Sequence, residues 1–260
     1  MSDLALGVRQ TRFVLLGRRR DTRALLFTIV LPIVLLVLFN SIFGTKDTTT
    51  RVGSAHLPLH AYFTAGIIAY AIMLNSFSSL LIGITTDREA GRLKRYRGTP
   101  MPARVFLGAE ILANIAVVAV MVVVLLAIGR LAYDIRIPSG GYGPLVLYVV
   151  LGTAAMASVG IALTRVTTTA DAASAIGPFA SVILGFISGT FVPVNQLPSW
   201  LEQVGRLFPL AHLAEGLQQS LVPHGGGLDG GNVVALVLWG AAGLVAALRS
   251  FRWEPQAARA

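Results

Sequence analysis

The chain has 260 residues, of which 55% are hydrophobic and only 13% are charged, and its formal net charge is +9. This composition excludes an ordinary soluble domain, and the absence of cysteine excludes disulfide frameworks and thiolate metal or redox sites. The basic residues lie at the borders of long apolar runs rather than on one soluble face, so the charge does not favour nucleic acid as a partner.

Six apolar runs are long enough, or nearly long enough, to cross a hydrocarbon core of about 30 Å as helices. A helix satisfies its own backbone polar groups in lipid, so we predict an all-α, polytopic membrane protein with one transmembrane domain over residues 1–260. The predicted spans are 24–43, 62–84, 105–128, 144–163, 172–192 and 232–248.

The segment before the first span, 1–23, mixes apolar residues such as Leu4, Val8 and Phe13 with arginines. This mixture predicts a helix that lies in the membrane interface, and an irregular basic leader is the alternative. The apolar run that follows is too long for a signal peptide and has no small-residue cleavage site after it, so we expect the first span to be retained.

The loop after the second span, 85–104, carries an unusual concentration of charge in the stretch TDREAGRLKRYRGTPMP. Thr86 and Glu89 have the spacing of a capping box, which predicts the start of a short helix that ends before the prolines. Leu93 and Tyr96, three residues apart, give that helix a small apolar face that is suited to docking on a soluble partner.

Basic residues concentrate on one side of the predicted spans, and such loops are retained in the cytoplasm. This asymmetry predicts a multi-pass protein with both termini cytoplasmic and with the 85–104 loop on the same side. The residues on that side are Arg9, Arg12, Arg18, Arg19, Arg20, Arg23, Arg88, Arg92, Lys94, Arg95, Arg97, Arg104, Arg165, Arg249, Arg252 and Arg259.

The segment between the fifth and sixth spans, 193–231, is too polar to span and too apolar to be a free loop. Apolar residues recur at helical spacing around Trp200, and Pro198 and Pro209 divide the stretch. We predict two short helices at the outer membrane boundary, with Trp200 at the level of the head groups.

An ion-coupled transporter is disfavoured because such proteins carry ionisable residues deep in their spans. Here the one acid clearly inside a predicted span is Glu110, near the cytoplasmic end of the third, where it is expected to snorkel to the interface or to pair with Arg104 or Arg97. Other polar residues in the spans line a translocation path or bond a neighbouring helix, and the sequence leaves both possibilities open. They are Asn40, Asn75, Ser78, Asn114 and Thr153.

An intramembrane enzyme is less favoured still, because no nucleophile motif or histidine-bearing span accompanies the serines. Pro58 lies between His56 and His60 and spoils the helical face that a metal would need, so no metal site is predicted. No G-x-x-x-x-G-K-[ST] motif occurs, so we expect no cofactor in this chain and no nucleotide site. The class that fits these features is a permease whose energy is supplied by another protein.

Two stretches resemble the permease subunits of type-2 ATP-binding-cassette exporters, which include daunorubicin-type drug exporters and nodulation-factor exporters. DREAGRLKRYRGTPMP is similar to the family pattern R-E-x-G-T-L-x-R-L-R-x-T-P-L after the second span. GFISGTFVPVNQLPSWLEQVGRLFPLAHLAEGL is similar to the family's S-G-x-F-x-P, L-P-x-W-L and N-P-L sequence.

The resemblance implies a coupling helix against a separate cassette ATPase, which supplies ATP and magnesium, and a second permease copy. It implies outward transport of an amphipathic or hydrophobic cargo, such as a drug, antibiotic, lipid or lipid-linked glycan, across the cell membrane. The coupling positions are Glu89, Gly91, Leu93, Arg95 and Pro100, beside Tyr96 where the family often has leucine. The extracellular gate positions are Ser188, Gly189, Phe191, Pro193, Pro198, Trp200 and Pro209.

Overall fold

The computed structural model describes residues 3–20, 22–44, 48–53, 55–98, 101–222, 227–251 and 253. Residues 20, 22–27 and 95–97 are described by their backbone alone. Nearly all the regular structure is helical, which confirms the all-α prediction. The helices are α1 (Asp3–Arg20), α2 (Thr22–Phe43), α3 (Leu59–Met73), α4 (Ser79–Glu89), α5 (Arg92–Arg97), α6 (Ala103–Tyr133), α7 (Tyr142–Leu163), α8 (Ala170–Ile187), α9 (Ser199–Arg206), α10 (Pro209–Ser220) and α11 (Gly230–Ser250).

Within the described part of the chain, five helices are apolar and long enough to cross a membrane. They are Leu59–Glu89, Ala103–Tyr133, Tyr142–Leu163, Ala170–Ile187 and Gly230–Ser250. The first predicted span coincides with α2, a helix of 22 residues whose portion Thr28–Phe43 is apolar. The fifth is shorter than the predicted 172–192, because Gly189 turns the chain with φ of +76° two residues after α8 ends.

The core is built around α3, every residue of which is buried from Ala61 to Met73. Helices α2, α6, α7, α8 and α10 pack around it. The α7–α11 pair is close because α11 presents glycines: a Cβ at Gly243 would lie 2.9 Å from the Val159 amide nitrogen. Small residues at such interfaces let transmembrane helices approach and gain van der Waals contact.

A short β-hairpin, absent from the sequence prediction, joins α2 to α3. Strand β1 (Thr49–Val52) pairs antiparallel with β2 (Ala55–Pro58), with Thr49 opposite Pro58. Helix α10 packs on β1, and α9 packs on α10, so all three lie at one end of the bundle. We call this end of the bundle the hairpin end. The opposite end, at which α5 packs on α4, is called the α5 end.

Helix α1 confirms the predicted N-terminal helix and packs across α6. Arg104 bonds Asp3 at 2.8 Å, and Glu110 pairs with Arg18 at 3.0 Å. Arg104, one of the expected partners of Glu110, bonds Asp3 instead, because α1 brings a distant arginine to the Glu110 carboxylate. The side chain of Arg97, the other expected partner, lies outside the described residues. Four apolar side chains of α1 remain exposed on the protein surface, as an interfacial helix requires. These are Leu4, Val8, Phe13 and Leu16.

Candidate functional site

The helix of the second span runs past its apolar part as far as Glu89, and the chain then turns sharply. Ala90 ends α4, and Gly91 takes a φ of +70°, a conformation that glycine adopts without steric cost. Thr86 lies inside α4 rather than at the start of α5. The predicted capping box was wrong, because the helical hydrogen bonds of the span continue through it and Ala90 N still donates to Thr86 O.

Arg88 is buried, with 2% of its surface exposed, at the junction between α4 and the α7–α8 connection. Its guanidinium donates to the carbonyl oxygens of Thr164 at 2.7 Å and of Thr167 at 2.5 Å. Thr164 is the residue that ends α7, where carbonyl groups lack helical partners and a cation is favourable. Arg88 therefore binds the C-terminal end of the fourth span.

Glu89, the next residue, reaches the start of the following helix. Its Oε2 accepts a hydrogen bond from the Ala170 amide at 2.6 Å, at the first residue of α8. The Thr169 side chain accepts from Ala172 N in the same turn. Free amide groups and the helix dipole make this end favourable for a carboxylate.

Arg88 and Glu89 together form what we call the α4 clamp: a cation on the end of α7 and an anion on the start of α8. The clamp joins the α5 end of the second span to the fourth and fifth spans. Sequence reasoning singled out Glu89 but treated Arg88 as one of many basic loop residues. A basic and an acidic residue adjacent at the end of an apolar helix was the available signal.

Helix α5 is held against the bundle by Leu93, which is 1% exposed. The side chain lies in an apolar cluster formed by the ends of α4, α6, α7 and α11. Its members are Leu80, Ile84, Leu93, Phe106, Leu107, Ala157, Ile161 and Ala247. Leu93 thus faces its own chain, whereas the sequence suggested an exposed docking face, because a single leucine on a charged helix gains most by joining this cluster.

The exposed side chains of α5 that the structure describes are charged. Lys94 is exposed, and Arg92 pairs with Asp87 at 2.9 Å in a bridge open to solvent. The side chains of Arg95 and Tyr96, and the whole of Pro100, lie outside the described residues. Their role in coupling stays a prediction.

Two of the polar residues predicted for a path support a π-helical segment, Leu74–Ser78, between α3 and α4. Asn114 on α6 donates its amide to the Asn75 carbonyl oxygen at 2.9 Å. The Asn75 side chain donates to Ala71 O at 3.1 Å and contacts the Met121 sulfur. A π segment leaves carbonyls outside the regular ladder, so both asparagines stabilise this irregular turn.

The other three are also buried and bonded within the bundle. Asn40 donates to Leu36 O and to the Thr64 hydroxyl, both at 3.1 Å. The Ser78 hydroxyl shares a hydrogen bond of 2.8 Å with Ser181 on α8. Thr153 donates to the carbonyl of its own helix, at Val149. As path residues all five stay predictions, since the structure describes one copy of the chain.

The hairpin end contains the predicted gate segment. The turn that follows α8 is held by two hydrogen bonds to one carbonyl group, that of Gly189. The buried Tyr62 hydroxyl and the Gln218 amide both donate to Gly189 O, the latter at 3.1 Å. Ser188 is buried directly before this turn. The two donors come from α3 and α10, so the end of the fifth span is fixed between them.

Phe191 is buried under this turn, within a group of aromatic rings. Its ring stacks on Phe39 with centroids 5.2 Å apart and meets Tyr70 and Phe186 edge to face at 4.6 Å and 5.3 Å. Such pairs add about 0.5–1.5 kcal/mol each beyond the area they bury.

The three prolines among the predicted gate positions each lie where a helix starts. Pro193 precedes the 3-10 turn Val194–Gln196, Pro198 precedes α9, and Pro209 is the first residue of α10. A fixed φ near −65° suits these positions. Trp200 on α9 is 64% exposed, as a side chain that meets lipid head groups would be. The two short helices predicted between the fifth and sixth spans are present as α9 and α10.

Among the described residues, no group of three or more His, Asp or Glu side chains is placed to hold a metal. His56 lies on β2 and is exposed, and His60 lies in the first turn of α3.

The sequence matches the family described as ABC-2 type transporter over residues 10–222. It is also 20% identical over 222 residues to the protein named "Putative transport permease YvfS" of Bacillus subtilis (strain 168), a similarity that covers 85% of this chain and 86% of that protein. The family match includes the α4 clamp, α5 and the predicted gate positions from Ser188 to Pro209, and it confirms the resemblance seen in the sequence. This chain belongs to the ABC-2 type transporter family of membrane permeases.

Proposed function

We propose that the chain is the membrane-spanning subunit of an exporter, and that it works as a pair of copies driven by a separate cassette ATPase. ATP and magnesium are bound by that ATPase. The cargo is an amphipathic or hydrophobic molecule such as a drug, antibiotic, lipid or lipid-linked glycan. The complex lies in the cell membrane with both termini and α5 in the cytoplasm and the hairpin end outside.

The observation that carries this proposal is the α4 clamp next to α5. A force applied to the polar surface of α5 reaches α4 through the packing of Leu93, and it then reaches α7 and α8 through Arg88 and Glu89. Packed helices and hydrogen-bonded ends transmit displacement because protein interiors do not deform continuously. A motor bound to α5 would thereby move three spans together.

The ion-coupled alternative receives less support, because Glu110 is occupied by Arg18. An acid that carries a proton or cation through a span needs to release its partner in each cycle. The Arg18 pair instead fastens α1 to α6, which is a structural role.

A cross-linking experiment tests the proposed partner. Because the chain has no native cysteine, an introduced cysteine is the one thiol in it that can react. A single cysteine replaces Lys94 on the exposed face of α5, and a matched control carries one in place of Gly227 at the other end of the bundle. Membranes of the source cells are treated with a thiol-to-amine cross-linker, and the products are identified by mass spectrometry.

We expect Lys94→Cys to capture a protein with a nucleotide-binding cassette and Gly227→Cys to capture none. Capture of the same ATPase from both positions would mean nonspecific reaction. Capture of no ATPase from Lys94→Cys, with the chain fully expressed, would contradict the coupling role of α5.

A further inference from the structure

The exposed surface of α1 carries positive charge without a counter-charge. Arg9, Arg12 and Arg19 are exposed, and none of them is in an ion pair within the described part of the chain. Asp3 is the one acidic residue of α1, and it is occupied by Arg104 at 2.8 Å. Exposed cations with no free acid on the same helix are suited to a negatively charged partner.

Apolar side chains lie between these arginines. Val8, Phe13 and Leu16 are exposed, and each is three or four residues from one of the three arginines. Residues with this spacing are neighbours on the surface of a helix. Such a mixed surface fits the boundary between acyl chains and head groups, because the apolar side chains enter the lipid while the long arginine side chains reach the phosphates.

The direction of α1 places this surface along the membrane. The Asp3–Arg104 and Arg18–Glu110 ion pairs lie about 22 Å apart along α1 but about 9 Å apart along α6, at a rise of about 1.5 Å per residue. Helix α1 therefore crosses the first two turns of α6 rather than running beside it. Because α6 is long and apolar enough to span a membrane, a helix that crosses its end lies at the level of the head groups.

We propose that α1 is a binding surface for anionic lipids, and that its three exposed arginines hold their head groups. Each guanidinium donates charge-assisted hydrogen bonds to a lipid phosphate. A lipid with a net negative head attracts these cations more strongly than a zwitterionic lipid, whose positive group opposes the phosphate. A lipid surface is favoured over an acidic protein because the arginines and apolar side chains share one surface of a helix that crosses the end of a span. This inference requires neither export nor the ATPase.

A Phe13→Trp substitution reports which lipids surround α1, because Phe13 is 62% exposed among the arginines. The native tryptophans Trp200, Trp239 and Trp253 are replaced by phenylalanine, so that the chain has one tryptophan. The purified variant is reconstituted without ATPase into bilayers of phosphatidylcholine and phosphatidylglycerol. In one series the first lipid carries brominated acyl chains, and in the other series the second does. Bromine quenches tryptophan at short range, so the two series together give the relative binding of the anionic lipid.

We expect phosphatidylglycerol to bind at α1 at least about fivefold more tightly than phosphatidylcholine, the factor that about 1 kcal/mol from one arginine represents. The preference should decrease as NaCl screens the charges. Replacement of all three α1 arginines by glutamine should abolish it. The matched control replaces three exposed arginines remote from α1, which are Arg51, Arg130 and Arg136, and should keep the preference.

Equal binding of the two lipids, or a preference that persists without the three arginines, would overturn the proposal and leave these cations for a protein surface. Weak quenching by both lipids would contradict it as well, since α1 would then lie away from the membrane. Strong quenching of the triple variant by brominated phosphatidylcholine shows that its α1 stays in place. If α1 leaves the membrane in that variant, the single Arg9→Gln, Arg12→Gln and Arg19→Gln variants decide, and each should lower the preference.

Discussion

Replacement of Arg88 by alanine tests the α4 clamp at its most buried point. The change removes two charge-assisted hydrogen bonds and leaves the carbonyls of Thr164 and Thr167 without this donor. A hydrogen bond to a charged group contributes about 1.5–3 kcal/mol. Because water at the end of the span recovers part of the loss, we expect a decrease of about 3 kcal/mol in the free energy of unfolding.

The matched control is Arg92→Ala, four residues along the chain, whose bridge to Asp87 is exposed and is expected to contribute less than about 1 kcal/mol. Arg88→Lys should fall between the two, since an ammonium keeps the charge but lacks the planar fork that reaches both carbonyls. Unfolding of each purified variant in mixed micelles is followed by circular dichroism as sodium dodecyl sulfate increases. If Arg88→Ala is as stable as Arg92→Ala, the clamp does not hold the spans together.

Three further predictions follow from the packing. Gly160→Ala would place a Cβ 2.5 Å from a carbonyl oxygen of the π segment and should cost about 1–3 kcal/mol in unfolding titrations, whereas Gly83→Ala, with open space around it, should cost nothing. Asn114→Leu removes the amide that bonds the π segment and should cost about 1–3 kcal/mol; a neutral effect would show that water replaces it. Cysteines at Gly98 and Gly227 should react with an impermeant maleimide from opposite sides of the membrane, and labelling of both from one side would refute the topology.

The apolar runs predicted the spans well, because length and hydropathy are local properties of the sequence. The end of the fifth span was placed too late, since Phe191 and Val192 extend the apolar run past Gly189, whose positive φ turns the chain. The hairpin was missed, although its β-branched Thr49 and Thr50 followed by Gly53 are typical of a short strand and turn.

The candidate site was harder to predict than the spans because its contacts join residues far apart in sequence. The spacing of Thr86 and Glu89 predicted a capping box, yet the Glu89 carboxylate accepts from the first residue of α8, which is 81 residues away. The one local feature of Arg88 is its place beside Glu89 at the end of an apolar run, and its contacts appear only when the end of α7 is brought to it. The roles of polar residues in the spans are hard to predict for the same reason. Whether Asn75 lines a path or supports a π segment depends on which helices pack beside it.

The most direct test of the account is hydrolysis of magnesium-ATP by the chain purified alone and by the chain purified together with the proposed ATPase. The sequence has no P-loop motif, so the isolated chain should hydrolyse no ATP, and the complex should hydrolyse it at a rate that falls in the Arg88→Ala variant. Hydrolysis by the isolated chain, or transport in vesicles driven by an ion gradient alone, would contradict the proposal that its energy comes from a partner ATPase.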